Sequence, residues 1–260
     1  MTLICIHAKI ALIQIRNNPK YIADIIGGGF VVRKRVNTTK YEIIRLATRL
    51  FLEIGYSETS PRAICDELDI STGNLTYYFP SKEHLLSVLV EMLCEFQWKM
   101  MQSLVDEGHT SLLAVCLEIA TMAAVCEEDE IAKDFYLSSY SHPMTLEIIR
   151  INDSKRAKQV FGEYCSHWNE ENYAEAETLV SGIEFATLMT TNDSAPLDVR
   201  IAGAVNNILS IYNVPEDIRK QKINKVLGMD YLGVGKRILN EFRVFVEETN
   251  RRIFENINKF

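Results

Sequence analysis

Glycine and proline are scarce in this 260-residue chain: 12 and 6 copies are spread over its whole length. That excludes a collagen-like period, a low-complexity segment or a long flexible linker, and no internal repeat is present. The six cysteines, Cys5, Cys65, Cys94, Cys116, Cys126 and Cys165, stand far apart, with no C-x-x-C pair and no histidine at zinc-ligand spacing. They are expected to be free thiols in a reducing cytosol, packed as small apolar residues. Neither a metal nor any other cofactor is called for. The five histidines join no Ser, Cys or carboxylate in a recognisable motif, and no phosphate loop occurs, so the chain is not read as an enzyme. Nor is there an uninterrupted apolar run of the ~20 residues a membrane helix requires. The opening MTLICIHAKIALIQI is broken by His7 and Lys9, and it lacks the charged start and small-residue cleavage site of a signal peptide. A cytoplasmic protein with no membrane partner is expected.

What is present is ordinary for a globular protein: 47% hydrophobic and 24% charged residues. The net charge of −7 argues against a chain that simply coats nucleic acid. The charge is unevenly placed. Residues 1–30 carry three Lys/Arg against one Asp/Glu, 31–84 carry eight against seven, and 85–260 carry seventeen against twenty-seven. The acid therefore lies beyond residue 84, while Arg33-Lys34-Arg35 form a small basic cluster.

Residues 1–36 are expected to be an extension outside the folded part. One reading is a loosely structured arm, common at chain ends. The other starts from Gly27-Gly28-Gly29 shortly before Val31 and Val32: glycine codons begin GG and valine has an alternative start codon, so residues 1–30 are then untranslated DNA read as protein.

From Thr38 to Ile54 apolar residues recur at helical spacing, and Gly55 closes the helix. Ser60 and Pro61 open a second, short helix as N-cap and first-turn residue. Ser71 caps a third from Thr72 to Phe79, ended by Pro80. Steps of 100° put Leu75 and Phe79 on one side of it and Gly73 and Tyr77 on the other, flanked by Asn74 and Thr76. A fourth helix begins at Ser81, with Leu85, Leu89, Leu93 and Phe96 as its stripe. Two short helices joined by a turn, the second with an uncharged polar face, form the layout of a helix-turn-helix. Asparagine pairs with an adenine edge, threonine meets a base edge or the thymine methyl, and tyrosine hydroxyls bond phosphate. Gly73 costs the helix up to ~1 kcal/mol relative to alanine and in exchange allows close approach to a partner surface.

On these residues the stretch GYSETSPRAICDELDISTGNLTYYFPSKEHLL resembles the DNA-binding segment of TetR/AcrR-type transcriptional regulators, from Thr39 to Leu86. The resemblance implies that Ser60 and Ser71 cap helices whose first amides hold phosphates. It places Thr72, Gly73 and Asn74 at the floor of the major groove and gives backbone contacts to Tyr77, Tyr78 and Lys82, with Leu75 and Phe79 as anchors. Arg62 and Thr76 complete the expected DNA-contacting set. Three positions depart from the family pattern. Asp69 stands where glycine is usual and implies a changed turn or a local cap, Cys65 replaces a common alanine, and Thr76 stands where tyrosine is frequent.

Beyond residue 84 helical patterning continues over 82–107, 111–126, 129–140, 145–168, 172–189, 197–212, 216–227 and 231–256. The fold class expected is all-α: a three-helix DNA-binding domain over 37–84, then a larger helical bundle over 85–260. By the resemblance this bundle binds a ligand and dimerises, which makes the protein a ligand-responsive repressor that binds a palindromic double-stranded DNA operator as a homodimer. A helical protein-interaction adaptor without DNA binding is the alternative. The expected dimer helices are 196–212, with a stripe of Ile201, Val205, Ile208 and Tyr212, and 231–250; a purely internal stripe is the competing reading. A pocket for a hydrophobic inducer is expected among Phe96, Met100, Phe135, Tyr136, Tyr140, His142, Phe161, Tyr164, Trp168, Phe185 and Met189. Ligand binding would tilt the helix over 82–107 and change the spacing of the reading heads.

Overall fold

In the computed structural model the backbone is described for residues 30–106 and 110–258, and side chains for 38–104 and 110–255. The expectations for residues 1–29 and for Cys5 lie outside them. Every regular element among the described residues is a helix, and none is long and apolar enough to cross a membrane.

Helix α1 runs over Phe30–Glu53. It begins well before the expected Thr38 because no glycine or proline interrupts the chain after Phe30. Gly55 follows it with φ +97°, the left-handed geometry that favours glycine. Helix α2 spans Pro61–Leu68 and α3 spans Thr72–Tyr78. Their caps form as the residue types dictate. Ser60 Oγ accepts from Ala63 N at 3.0 Å and Ser71 Oγ from Asn74 N at 3.1 Å, each satisfying one orphan amide of a helix start. Pro80 stops α3, and α4 runs over Lys82–Asp106.

Seven further helices follow among the described residues: α5 Ser111–Glu128, α6 Glu130–Ser141, α7 Pro143–Phe161, α8 Glu170–Leu188, α9 Leu197–Ile211, α10 Glu216–Leu227 and α11 Tyr231–Asn258. The expected helix over 145–168 ends at Phe161. Tyr164 and Trp168 lie in a turn after it, and Asn169 starts α8 through a reciprocal capping box with Asn172. Helix α5 is buried nearly all round, from Leu112 to Cys126, as a helix apolar on every face has to be. Around it α4, α6, α7, α8, α9, α10 and α11 pack as a bundle. Cys65, Cys94, Cys116, Cys126 and Cys165 are free and buried.

From Lys40 to Phe260 the chain is one compact unit, with α2, α3 and most of α1 joined to the larger bundle. The reason lies in a shared core. Ile43, Ala47, Phe51 and Ile64 pack with Leu86 and Leu89 of α4, Phe135 of α6, and Phe242 and Val246 of α11. The last helix also reaches α1 through a buried hydrogen bond from Asn250 Nδ2 to Thr48 Oγ1, 3.0 Å long.

Helix α11 approaches α5 closely at Gly235, where an added Cβ would lie 2.9 Å from Thr121 O and 2.7 Å from Val125 Cγ2. Because one of these atoms is backbone, the crossing has to open. Gly235→Ala is expected to lower stability by about 1–3 kcal/mol despite alanine's better helix propensity, a loss to be read from the midpoint of denaturant unfolding.

Candidate nucleic-acid interface

Leu75 and Phe79 are buried in the core that α1, α2 and α4 share, which fixes the roll of α3 about its axis. That roll turns Thr72, Gly73, Asn74, Thr76 and Tyr77 outward, all exposed, with Tyr77 72% exposed. Ser60, Arg62 and Ser71 are exposed beside them. Tyr78 is half-buried, with its ring edge-on to Tyr77 at 5.1 Å. The face presents amides, hydroxyls and a glycine backbone, with Arg62 as a cation on the neighbouring α2.

Besides the capping serines, Lys82 and Thr76 of the expected set bond to backbone carbonyls of the chain itself. Lys82 Nζ donates to Tyr56 O at 2.7 Å and Thr59 O at 2.9 Å and lies over the Tyr56 ring. Burial lowers its pKa, with Asp134 opposing. Thr76 Oγ1 donates to Thr72 O at 3.0 Å, the back-bonding that threonine commonly makes in helices. The Lys82 clamp holds the loop before α2, and α6 holds the same loop from the other side. Asp134 accepts from Ser57 N at 2.8 Å and also from Ser57 Oγ, and His142 packs edge-on against Tyr56 at 5.5 Å.

Asp69 does not alter the turn. It adopts φ 50°, ψ 47°, and its N–H donates to Cys65 O, as a glycine would; aspartate tolerates the left-handed region better than most residues.

The cavity in the larger region does not lie among the expected aromatic residues. Phe161 alone of that group lines it. Phe96 and Phe135 fill the core shared with the reading head, His142 faces Tyr56, and Met189 is exposed. Met100, Tyr136, Tyr164 and Trp168 pack against the upper core, and Phe185 is half-buried outside the lining. Tyr140 touches the lining through its hydroxyl, which donates to Glu184 Oε2 at 2.9 Å. Helical spacing marks aromatics that face inward, and close packing then consumes them as core.

The polar lining is instead Glu118, Asp153, Arg156, Glu177, Glu184 and Tyr212. Arg156 donates to Glu118 through two nitrogens and to Asp153 Oδ1 at 3.1 Å. Burial works against the Arg156 charge, but the two carboxylates outweigh it and raise its pKa. Tyr212 donates to Glu177, whose pKa is pushed up to about 8 by burial and by Asp153. One sequence signal pointed here: Glu118 is the only charge between Ser111 and Cys126.

Residues 43–89, which hold α2, the turn and α3, match the family model for bacterial regulatory proteins, tetR family. Over 81 residues the chain is 31% identical to the HTH-type transcriptional repressor KstR2 of Mycobacterium tuberculosis, in the strains CDC 1551 / Oshkosh and ATCC 25618 / H37Rv. That stretch is 31% of this chain and 40% of the relative, so the chain spans well under half the length of the curated relatives it matches. Two solved structures overlay 80% of this chain and 99% of their own. CprB, a TetR family protein from S. coelicolor A3(2), does so at 18% identity and a TM-score of 0.39, and a gamma-butyrolactone receptor described as ArpA-like at 17% and 0.38. So loose an overlay leaves the larger region to be read from this chain alone.

The matched segment includes Asp69, whose left-handed backbone costs an L-residue energy that glycine avoids. Asp69→Gly is expected to raise the thermal midpoint, a gain of up to about 1 kcal/mol, with the circular-dichroism spectrum unchanged. A fall in midpoint would show that the aspartate side chain itself caps the turn.

Proposed function

The chain carries a TetR-family DNA-binding domain at residues 43–89, and from that premise we propose that it is a transcriptional repressor that binds a palindromic double-stranded DNA operator as a homodimer and releases it when a ligand occupies the larger region. The observation that carries the reading is the outward face of α3. A packing helix has no need of a capped start, an exposed glycine and an uncharged face of Asn74, Thr76 and Tyr77 together. Thr72, Gly73 and Asn74 reach base edges, Tyr77 and Tyr78 reach phosphates, and the first amides of α2 and α3 hold phosphate oxygens. Arg62 adds the cation that Lys82, bound to the loop, does not supply.

One short helix buries too little surface for tight specific binding, so two copies with half-sites about 34 Å apart are needed. Helices α8 and α9 offer the face for the second copy. The expected stripe of Ile201, Val205, Ile208 and Tyr212 is buried in the chain's own core, each at most 1% exposed, so it serves no partner. The opposite side of the pair carries Leu179 and Val199, both 55% exposed, and a shallow groove lined by Ile183, Asn207 and Ile211. Gly182 and Gly203 have open space where a Cβ would stand, which lets a helix pair approach. Helix α11, also expected at the dimer contact, is engaged with α5 and the lower core instead.

A route from cavity to reading head runs through α4. Its Gln97 donates to Glu118 Oε1 at 2.6 Å and its Trp98 to Asn152 Oδ1 at 2.8 Å, while Lys82 at its other end clamps the loop before α2. A ligand that binds one tilt of α4 better than another shifts the spacing of the two heads, and only such a difference in affinity does so.

Selection of bound sequences from random DNA is expected to return a palindrome. On that site Gly73→Ala should lower affinity about tenfold or more while raising stability, because an added Cβ meets only Ser71 Oγ, at an ordinary 3.8 Å, within the chain. Equal affinity would remove Gly73 from the interface, and a protein that binds no DNA at any salt concentration would favour the adaptor reading. Leu179→Glu should give a folded monomer by light scattering that binds the palindrome at least tenfold more weakly, because an exposed residue contributes little to the chain's own core.

A further inference from the structure

The cavity holds two acids that no cation of its own lining pairs with. Of its four carboxylates, Glu118 and Asp153 are paired with Arg156. Glu177 and Glu184, two turns apart on one side of α8, have only hydroxyl donors: Tyr212 for Glu177, and Tyr140 at 2.9 Å for Glu184. No cationic side chain among the described residues forms an ion pair with either. Arg150, whose charge acts on Glu177 without an ion pair, gives its Nε to Ser181 Oγ at 2.9 Å.

A second observation is independent of the acids. Arg156 is 6% exposed, and its Nε is the buried polar atom without an acceptor among the described residues. Leaving such a donor unmade costs on the order of 1–3 kcal/mol. Because Glu118 and Asp153 already balance the guanidinium, a neutral oxygen satisfies this N–H better than a further anion. Between these groups lies an opening of about 40 Å³. A buried water occupies roughly 10–15 Å³ on the same measure, so the space suits a small polar head. Val115, Ile119, Val180 and Ile208 form its apolar walls.

We propose that the ligand of this cavity is a small organic cation: an ammonium or amidinium head held by Glu177 and Glu184 with a neutral carbonyl or hydroxyl oxygen accepting from Arg156 Nε, the opening as it stands taking that polar part alone, so that the apolar walls have to move apart to admit a short aliphatic part. This rests on the reading of the cavity as the effector site. Desolvation raises the pKa of both acids, with Asp153 adding to it, and a bound cation relieves that penalty where a neutral molecule does not. The purely hydrophobic inducer expected from the aromatic residues would leave both acids with hydroxyl donors alone and the Arg156 donor unmet.

The test is calorimetric titration of the full-length protein with three matched probes. L-Valinamide carries the ammonium and the carbonyl, isobutylamine only the ammonium, and 3-methylbutanamide only the carbonyl. Valinamide is expected to bind tightest, with isobutylamine about tenfold weaker and 3-methylbutanamide weaker still. Glu177→Gln with Glu184→Gln, which keeps shape and the acceptors for both tyrosines, should weaken valinamide at least tenfold. Equal binding of 3-methylbutanamide and valinamide, undiminished binding to the Gln variant, or no binding of valinamide at millimolar concentration each overturns the proposal. If the Gln variant fails to fold, the three probes on the unmodified protein still decide. An operator-release assay separates the two readings. Valinamide that binds as expected but leaves DNA bound upholds the cation site and removes its regulatory role, whereas release by a neutral apolar compound with valinamide silent keeps the switch and overturns the cation.

Discussion

A charge set in the middle of an apolar helix has to be met by its opposite, and here that pairing is Glu118 with Arg156. Helix α5 is buried on nearly every side, so an unpaired Glu118 would cost several kcal/mol. Arg156 of α7 meets it, Asp153 meets the remaining side of the guanidinium, and Gln97 of α4 adds a further donor. Because the pair tolerates no slip of register, α4, α5 and α7 are held against one another at this level. The room these side chains need is also what keeps the bundle open there: aliphatic residues would close-pack, whereas a charged cluster with Tyr212 and Glu177 beside it leaves the cavity.

The same helix that reaches Glu118 at Gln97 begins at Lys82, inside the reading head. Its ammonium holds the carbonyls of Tyr56 and Thr59 while Asp134 of α6 holds Ser57 from the opposite side. Gly55 is required at that point twice over. Its φ is +97°, and a Cβ there would stand 2.9 Å from Asp134 Oδ2. With Asn250 of α11 bonded to Thr48, the head is gripped by α4, α6 and α11 together. On the proposed reading a displacement of any of them would be felt at α2 and α3, because they share one close-packed core.

The reading head was legible because its signals are local. Serine caps, Pro61, Pro80 and the inward Leu75 and Phe79 act within a few residues of themselves, and the structure places each where residue type alone put it. Element boundaries set by proline or glycine were legible for the same reason. Helix α1 started early because no breaker stands after Phe30, and α7 ended early because the turn at 162–168 is set by tertiary packing, with Trp168 beside Tyr212. The cavity was not legible. Periodicity tells which side chains share a face but not what stands opposite, so Phe96, Phe135 and Tyr136 read as lining and proved to be core. The stripe of Ile201, Val205 and Ile208 is the same case. Its spacing was right, and burial within the chain assigned it inward.

The distribution of charge bears on how the head would hold DNA. Lys82 is bound to the loop, and Arg49 lies 2.5 Å from Glu67. Arg62, its side chain 89% exposed and 3.8 Å from Asp66 at the nearest, is a cation beside α3, and Lys40 lies over the ring of Phe79 at its end. Counterion release scales with the number of cations that meet phosphates, and Lys82 and Arg49, both engaged within the chain, would add little to it. Most of what remains is donors fixed in place: the amides at the starts of α2 and α3, Asn74, and the hydroxyls of Tyr77 and Tyr78. These act only at hydrogen-bond distance and in one orientation. A head built this way would gain little from a misaligned duplex, which on the proposed reading is why two copies would engage one site together.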